Sequence, residues 1–292
     1  MDQKSKLILT LSAIFIVLGI LFIVESQKTG KLRLIFCDIG QGDGMLIVTP
    51  KGKQVVVDSG PGSKIVDCLG ENMPFWDRTI EMMILTHAQQ DHMEGQVEIF
   101  NRYKVGRVVW SGVENTTALF NQWQKLLSVE KSEVHLARIG DKLKLDKIVF
   151  DVLWPSQQMS NVWKIAPPAD INDSSVVVRL EYNPDTGSGK AICVYLTGDL
   201  PKEILEGLIN KQCQLLKISH HGSKTGTNMQ ILDSAKPEIA IIQVGGKNRF
   251  GHPRKEVLDL LKSKGIEILR NDISGTIEIE SDGKSFRLIS TP

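Results

Sequence analysis

Hydrophobic positions along the chain follow three patterns. The first is Leu7–Val24, LILTLSAIFIVLGILFIV, which carries no charge. It reaches the roughly 18 residues at which a bilayer span is the default reading, and it leaves no polar face with which to lie on a soluble core. The second pattern is alternation, or short apolar runs, bounded by turn residues. KLRLIFCDIG alternates and turns at Gly40, GMLIVTP and KQVVVDSG read as two strands joined by the PKGK turn, and TIEMMILT reads as a strand buried on both faces. RVVW, EVHLARI, DKLKL, IVFDVLWP, SSVVVRLEY, AICVYLTGD, QLLKIS, EIAIIQVG, IEILR, GTIEIE and KSFRLIS continue the series. The third is spacing by three and four, which predicts helices over EGQVEIFNRY, TALFNQWQKLLSVE, PKEILEGLIN, NMQILDSA and PRKEVLDLLKSKG.

Hairpins dominate each half of this order, and helices enter late in each half. Two such halves pack as two mixed β-sheets face to face with helices outside, a fold of the α/β (α+β) class. SQQMSNVWKIAPPADIND reads as an irregular loop, and NPDTGSGK as a loop between strands. The expected organisation is a membrane anchor over residues 1–30, spanning at about 7–24, and one domain over 31–292.

Composition changes this picture little. Of 292 residues 41% are hydrophobic and 24% charged, enough for a sizeable core. The formal net charge of +1 gives no global pull on nucleic acid. Lys4 and Lys6 precede the apolar segment and no A-x-A-like site follows it, so an uncleaved anchor is expected. Those lysines favour a cytoplasmic N-terminus and an extracytoplasmic domain, although Lys28, Lys31 and Arg33 reduce the bias. Cys37, Cys68, Cys193 and Cys213 form no C-x-x-C pair and read as buried small hydrophobes. A disulfide would suit an extracytoplasmic domain but is not required at this size.

The chemistry lies at strand ends. VVVDSG ends at Asp58, MMILTHAQQDH at His87, Asp91 and His92, VYLTGD at Asp199, LLKISHHGS at His220 and His221, and IIQVGGKNRFGHP leads to His252. Five of the six histidines occupy such positions, and only His135 lies within a strand. Imidazole nitrogen and carboxylate oxygen are what zinc and similar ions bind. His87, Asp91, His92, Asp199, His220 and His221 are therefore the candidate ligands, with Asp58 supporting them from behind. Asp38 and Asp43, flanking a glycine turn, are open to a turn-capping or a site role.

THAQQDHMEG resembles the T-H-x-H-x-D-H-x-x-G signature of the metallo-β-lactamase superfamily, and LTGD its bridging-aspartate motif. FCDIGQGDGMLIVTP, VVVDSGPG, LKISHHGSKTGTN and GGKNRFGHPRKEVLDLLKSKG together resemble the C-terminal hydrolase domain of the ComEC competence DNA-uptake family. The resemblance runs from about Leu32 to Ile289 and lacks a many-spanning channel part. It implies an αββα sandwich with a metal site at one edge between the sheets. Gln89 departs from the pattern, because a neutral carbonyl oxygen stands where the superfamily has a better ligand. One firm metal site and a second, doubtful one are expected, with Asn172 or Asp173 as substitute oxygen donors.

The implied activity is hydrolysis by metal-activated water, with zinc, or alternatively manganese, as the divalent ion and a phosphodiester, single-stranded DNA included, as substrate. Asp91 would orient or deprotonate the water and His252 would act at the substrate. Ser223, Lys224 and Asn248 would donate to the charged oxygens. Trp163 is the one tryptophan expected at a substrate. Two other readings compete: hydrolysis of a cell-wall or phosphocholine ester, and a binding module weakened by Gln89.

Overall fold

The computed structural model describes residues 2–26, 30–183 and 191–289. Lys28 and most of the NPDTGSGK loop therefore lie outside the described residues. The helix Gln3–Ser26 comes first, about 36 Å long at 1.5 Å per residue. Within it Leu7 is 60% and Phe15 80% exposed. Its window Gln3–Ile20 is long and apolar enough to cross a membrane and is not buried anywhere in the molecule.

Six strands follow: β1 (Leu32–Phe36), β2 (Gly44–Val48), β3 (Gln54–Asp58), β4 (Thr79–Ile84), β5 (Lys104–Trp110) and β6 (Glu133–Leu136). Seven more build a second sheet: β7 (Lys142–Leu145), β8 (Ile148–Trp154), β9 (Val177–Tyr182), β10 (Ile192–Leu196), β11 (Leu215–Lys217), β12 (Ile239–Ile242) and β13 (Glu267–Arg270). The chain then returns to the first sheet with β14 (Ile277–Ser281) and β15 (Phe286–Ile289). The orders are β15-β14-β1-β2-β3-β4-β5-β6 and β13-β12-β11-β10-β9-β8-β7. Strands β3 to β6 run parallel, as do β10 to β13, and the other pairs are antiparallel. Both sheets are mixed, as the pattern predicts.

Period-two alternation assigns each strand residue to a layer. Leu34, Phe36, Met45 and Ile47 join Phe150, Val178, Val194 and Ile241 in the core between the sheets. Their neighbours Ile35, Leu46 and Val56 face the other way, onto Leu69, Met93, Val97, Phe120 and Trp123 of the helices Lys64–Asn72, Gln90–Phe100 and Ala118–Glu130. On the second sheet Tyr195, Leu216 and Ile242 meet Leu205, Leu232, Val257 and Leu261 of the helices Lys202–Leu205, Met229–Ala235 and Lys255–Ser263. Each fully buried side chain of this size contributes about 1.5–3 kcal/mol.

Three expectations are corrected. The cysteines do not remain free: Cys37 pairs with Cys68 and Cys193 with Cys213. Gln157–Trp163, expected to be irregular, is a helix whose first turn is capped by Ser156 Oγ. Trp163 within it is 6% exposed and packs edge-on against Trp154 at 6.0 Å, so it does not face a substrate.

Candidate metal centre

Parallel strands of α/β proteins place their binding groups beyond their carboxyl ends. Here β3 delivers Asp58, β4 leads to Thr86 and His87, β10 to Asp199, and β11 to His220 and His221. Asp58 has a φ of +53°, a left-handed conformation that Asp tolerates better than most residues. Its carboxylate accepts from Thr86 N at 2.8 Å and Thr86 Oγ1 at 2.7 Å, and lies 2.8 Å from His92 Nδ1. Asp91 and His92 sit in the first turn of the helix Gln90–Phe100. The Asp38–Asp43 loop presses on that turn. Asp43 N donates to Asp91 O at 3.1 Å, and a Cβ on Gly42 would stand 2.1 Å from the same oxygen.

The two open aspartates separate. Asp38 is exposed and caps its turn, accepting from Gly40 N at 3.2 Å. Asp43 is 4% exposed and reaches the centre, with its Oδ1 3.3 Å from His221 Nδ1.

Around Asp199 the groups converge. Its Oδ2 lies 3.3 Å from His92 Nε2 and 3.4 Å from His221 Nε2, and Asp91 Oδ2 is 3.4 Å from His221 Nε2. His221 Nδ1 donates to the Gln243 carbonyl at 3.0 Å, and His92 Nδ1 to Asp58. Each ring thus turns its other nitrogen inward, and the backing acceptor keeps the Nδ1 proton in place if Nε2 gives up its own to an ion. His220, although adjacent, is 3.9 Å from Asp199 Oδ2 and 30% exposed, so it sits at the rim.

Burial alone would drive His92 and His221 toward the neutral form. Asp199 outweighs it at both rings, joined by Asp58 at His92 and by Asp43 at His221, and holds both well above the ordinary range. Burial would raise Asp199, but His221 and His92 hold it well below. Asp91 is likewise held below the carboxylate range against burial, by His221 and His92. His87 is pushed down to about 4 by burial and by the charge on His92.

These residues fit a divalent ion. Ligand atoms of Asp91, His92 and His221 lie within 4.8 Å of one another, as do those of His87, His92 and Asp199 and of Asp43, Asp199 and His221. Nε2 of His92, Nε2 of His221 and Oδ1 of Asp199 are buried without hydrogen-bond partners, which is uncommon unless another species satisfies them. A second site fits poorly. Gln89 Oε1 bonds His87 Nε2 at 2.9 Å, while Thr86 Oγ1 and Ser175 Oγ approach its Nδ1 at 3.1 and 3.3 Å. Ser175, rather than Asn172 or Asp173, reaches this ring. His135 pairs with Asp141 at 2.8 Å, away from the cluster.

Sequence reasoning missed Lys217. It is 3% exposed, in ion-pair contact with Asp43, 3.0 Å from the Gly198 carbonyl and 3.8 Å from Asp199 Oδ1. The one signal available was a lysine inside the apolar run QLLKIS.

No family model matches the chain. It is 33% identical over 301 aligned positions to ComE operon protein 3 of Bacillus subtilis, covering 94% of this chain and 36% of that one. Over 260 positions it is 26% identical to competence protein ComA of Neisseria gonorrhoeae, covering 87% and 33%. Among solved structures it resembles the metallo-β-lactamase fold protein YhfI of Bacillus subtilis, with a TM-score of 0.52 and 13% identity over 87% of this chain and 99% of that one. The chain is a ComEC-like domain with the metallo-β-lactamase fold. It spans about a third of the length of the curated relatives it matches.

The outer residues of this ComEC-like domain form its rim. Ser223 Oγ pairs with Thr225 Oγ1 at 3.0 Å, and Lys224 is exposed. Asn248 is committed to its own loop: Nδ2 donates to the Gly245 and His252 carbonyls, both at 2.8 Å, and Oδ1 accepts from His252 N at 2.9 Å. His252 lies 5.8 Å, ring to ring, from His220. Burial and the neighbouring His220 push it down to about 4, and its Nδ1 has no partner.

Proposed function

We propose that the chain is a membrane-anchored, metal-dependent phosphodiesterase acting on a DNA strand outside the cytoplasm. The observation that carries this reading is the convergence of Asp91, His92, Asp199 and His221, with two inward Nε2 atoms that face carboxylate oxygens at 3.3–3.4 Å without forming a hydrogen bond. Two imidazoles and two carboxylates suit zinc, and manganese as the alternative. A divalent ion held there would supply Lewis acidity and bring the pKa of a bound water toward about 7.

The chain's own groups account for the rest. Asp91 is ionised and is the most open member of the set, with its side chain 31% exposed; its Oδ2 can accept a hydrogen bond from the attacking water and orient it. Asp58 and Gln243 hold the two imidazoles in one tautomer. His252 is neutral near pH 7 and offers Nδ1 at the rim as a donor or acceptor to a substrate oxygen. Ser223 and Lys224 are the candidate donors to non-bridging phosphate oxygens.

Residues 1–30 are assigned as a single-pass anchor and the rest as the hydrolase domain. Both disulfides favour an oxidising compartment, and Lys4 and Lys6 ahead of the span favour the same orientation. The test uses the full chain in detergent with a labelled single-stranded oligonucleotide. Metal-dependent cleavage that disappears on Asp199→Ala is expected. Cleavage unchanged by that substitution would overturn the reading.

A further inference from the structure

We propose that Phe250, with Arg249 over it and His252 behind it, is a platform for a nucleobase, and that it makes the site prefer strands with bases over bare phosphodiester backbone. The inference rests on the phosphodiesterase reading and names the feature that would select its substrate.

A line of rings leads outward from the cluster. His220 Nε2 is 3.9 Å from Asp199 Oδ2. The His220 and His252 rings meet edge-on at 5.8 Å. His252 and Phe250 then stack, with centroids 5.9 Å apart and planes 22° from parallel. Phe250 is 47% exposed, although water is a poor neighbour for its ring. The Arg249 guanidinium lies over the ring, 5.3 Å from its centroid. With both neighbours in place nearly half of the residue stays open to solvent, and a base can stack on that open part of the ring beside the guanidinium, adding cation–π attraction.

The platform is built rather than left at a free loop tip. The three hydrogen bonds of Asn248 close the loop from Gly245 to His252. The ring is therefore held before a ligand arrives, which lowers the ordering cost of binding. The charge around it points to a polyanion. Among the described residues Arg249 on the ring, Lys247 in the same loop and Arg254, whose guanidinium lies beside Gly251, form no ion pair with a carboxylate, whereas Lys255 does. Unpaired cations flanking an exposed ring suit a single strand better than an apolar peptide or a small neutral ester. Base recognition by stacking tolerates any sequence, because every base has a π-face.

The experiment compares two fluorescent oligonucleotides of equal length and charge, one of thymidines and one of abasic tetrahydrofuran units. Both are offered to the metal-loaded full chain and to its Phe250→Ala, Phe250→Trp and Arg249→Gln variants. Binding is read by anisotropy and cleavage by gel. The wild type is expected to favour the thymidine strand by about 5- to 150-fold, the worth of one stacked base. Phe250→Ala should collapse that ratio toward one through KM rather than kcat, Phe250→Trp should preserve it, and Arg249→Gln should reduce it. A wild-type ratio near one, or a ratio untouched by Phe250→Ala, overturns the platform. If neither strand is cleaved the phosphodiesterase reading fails on its own, and the anisotropy ratio still decides whether Phe250 holds a base.

Discussion

Two residues show how much of the centre depends on groups that would touch no ion. Asp58 contributes its position and a hydrogen bond to His92. Asn is the mildest probe, because it tolerates the left-handed backbone at this position but is a weaker acceptor. Asp58→Asn should weaken metal affinity roughly 10–100-fold with the circular dichroism spectrum retained; unchanged affinity by calorimetry would contradict the role. Lys217 is the cation that keeps Asp43 ionised in a buried place. Lys217→Met strands that carboxylate and should cost about 3–5 kcal/mol in urea denaturation. Adding Asp43→Asn should recover part of the loss, and strict additivity of the two substitutions would argue against the pairing. These roles show how far a sequence reaches. Asp58 was legible because it closes an apolar run. Lys217 was not, because nothing in a strand's pattern tells which of its residues will face a partner from the other sheet. Nor can a pattern separate His220 from His221: both have φ near +54°, and only the turn they make together sends one ring inward and the other to the rim.

At the scale of elements the strands were the readable part, since alternation reports burial directly. The helix Lys64–Asn72 follows the strand-and-turn segment VVVDSGPG and buries only Ile65, Cys68 and Leu69, too short a stripe to stand out. Gln157–Trp163 was hidden by the prolines and polar residues that follow it. The covalent ties were also beyond the pattern. Cys37 and Cys68 are 31 residues apart and link the end of β1 to that unrecognised helix, whereas Cys193 and Cys213, 20 apart, tie β10 to the segment before β11. Closing such loops stabilises a fold by about 2–4 kcal/mol. Protein purified without reductant and unfolded in guanidinium should titrate no free thiol, and its melting temperature should fall on reduction. Four reactive thiols in protein taken from intact membranes would place the domain in a reducing compartment and remove the argument for its extracytoplasmic face.

For the molecule as a whole, two mixed sheets bring the ends of β3, β4, β10 and β11 to one edge, which joins residues as distant as Asp43 and Gln243. The strand-end clusters gave the candidate ligands, and the ComEC-like resemblance implied that they would meet at one edge between the sheets. Gln89 is where this chain departs, and its bond to His87 makes one ion per chain the expected load rather than two. The most direct test is elemental analysis of natively purified full chain beside Asp199→Asn and His221→Ala. About one divalent ion per chain is expected in the wild type, and almost none in either variant, since an intact site of this kind binds tightly. Wild-type protein with less than about 0.2 ion per chain after incubation with zinc or manganese and desalting, or variants that retain the full load, would contradict a centre built from these side chains.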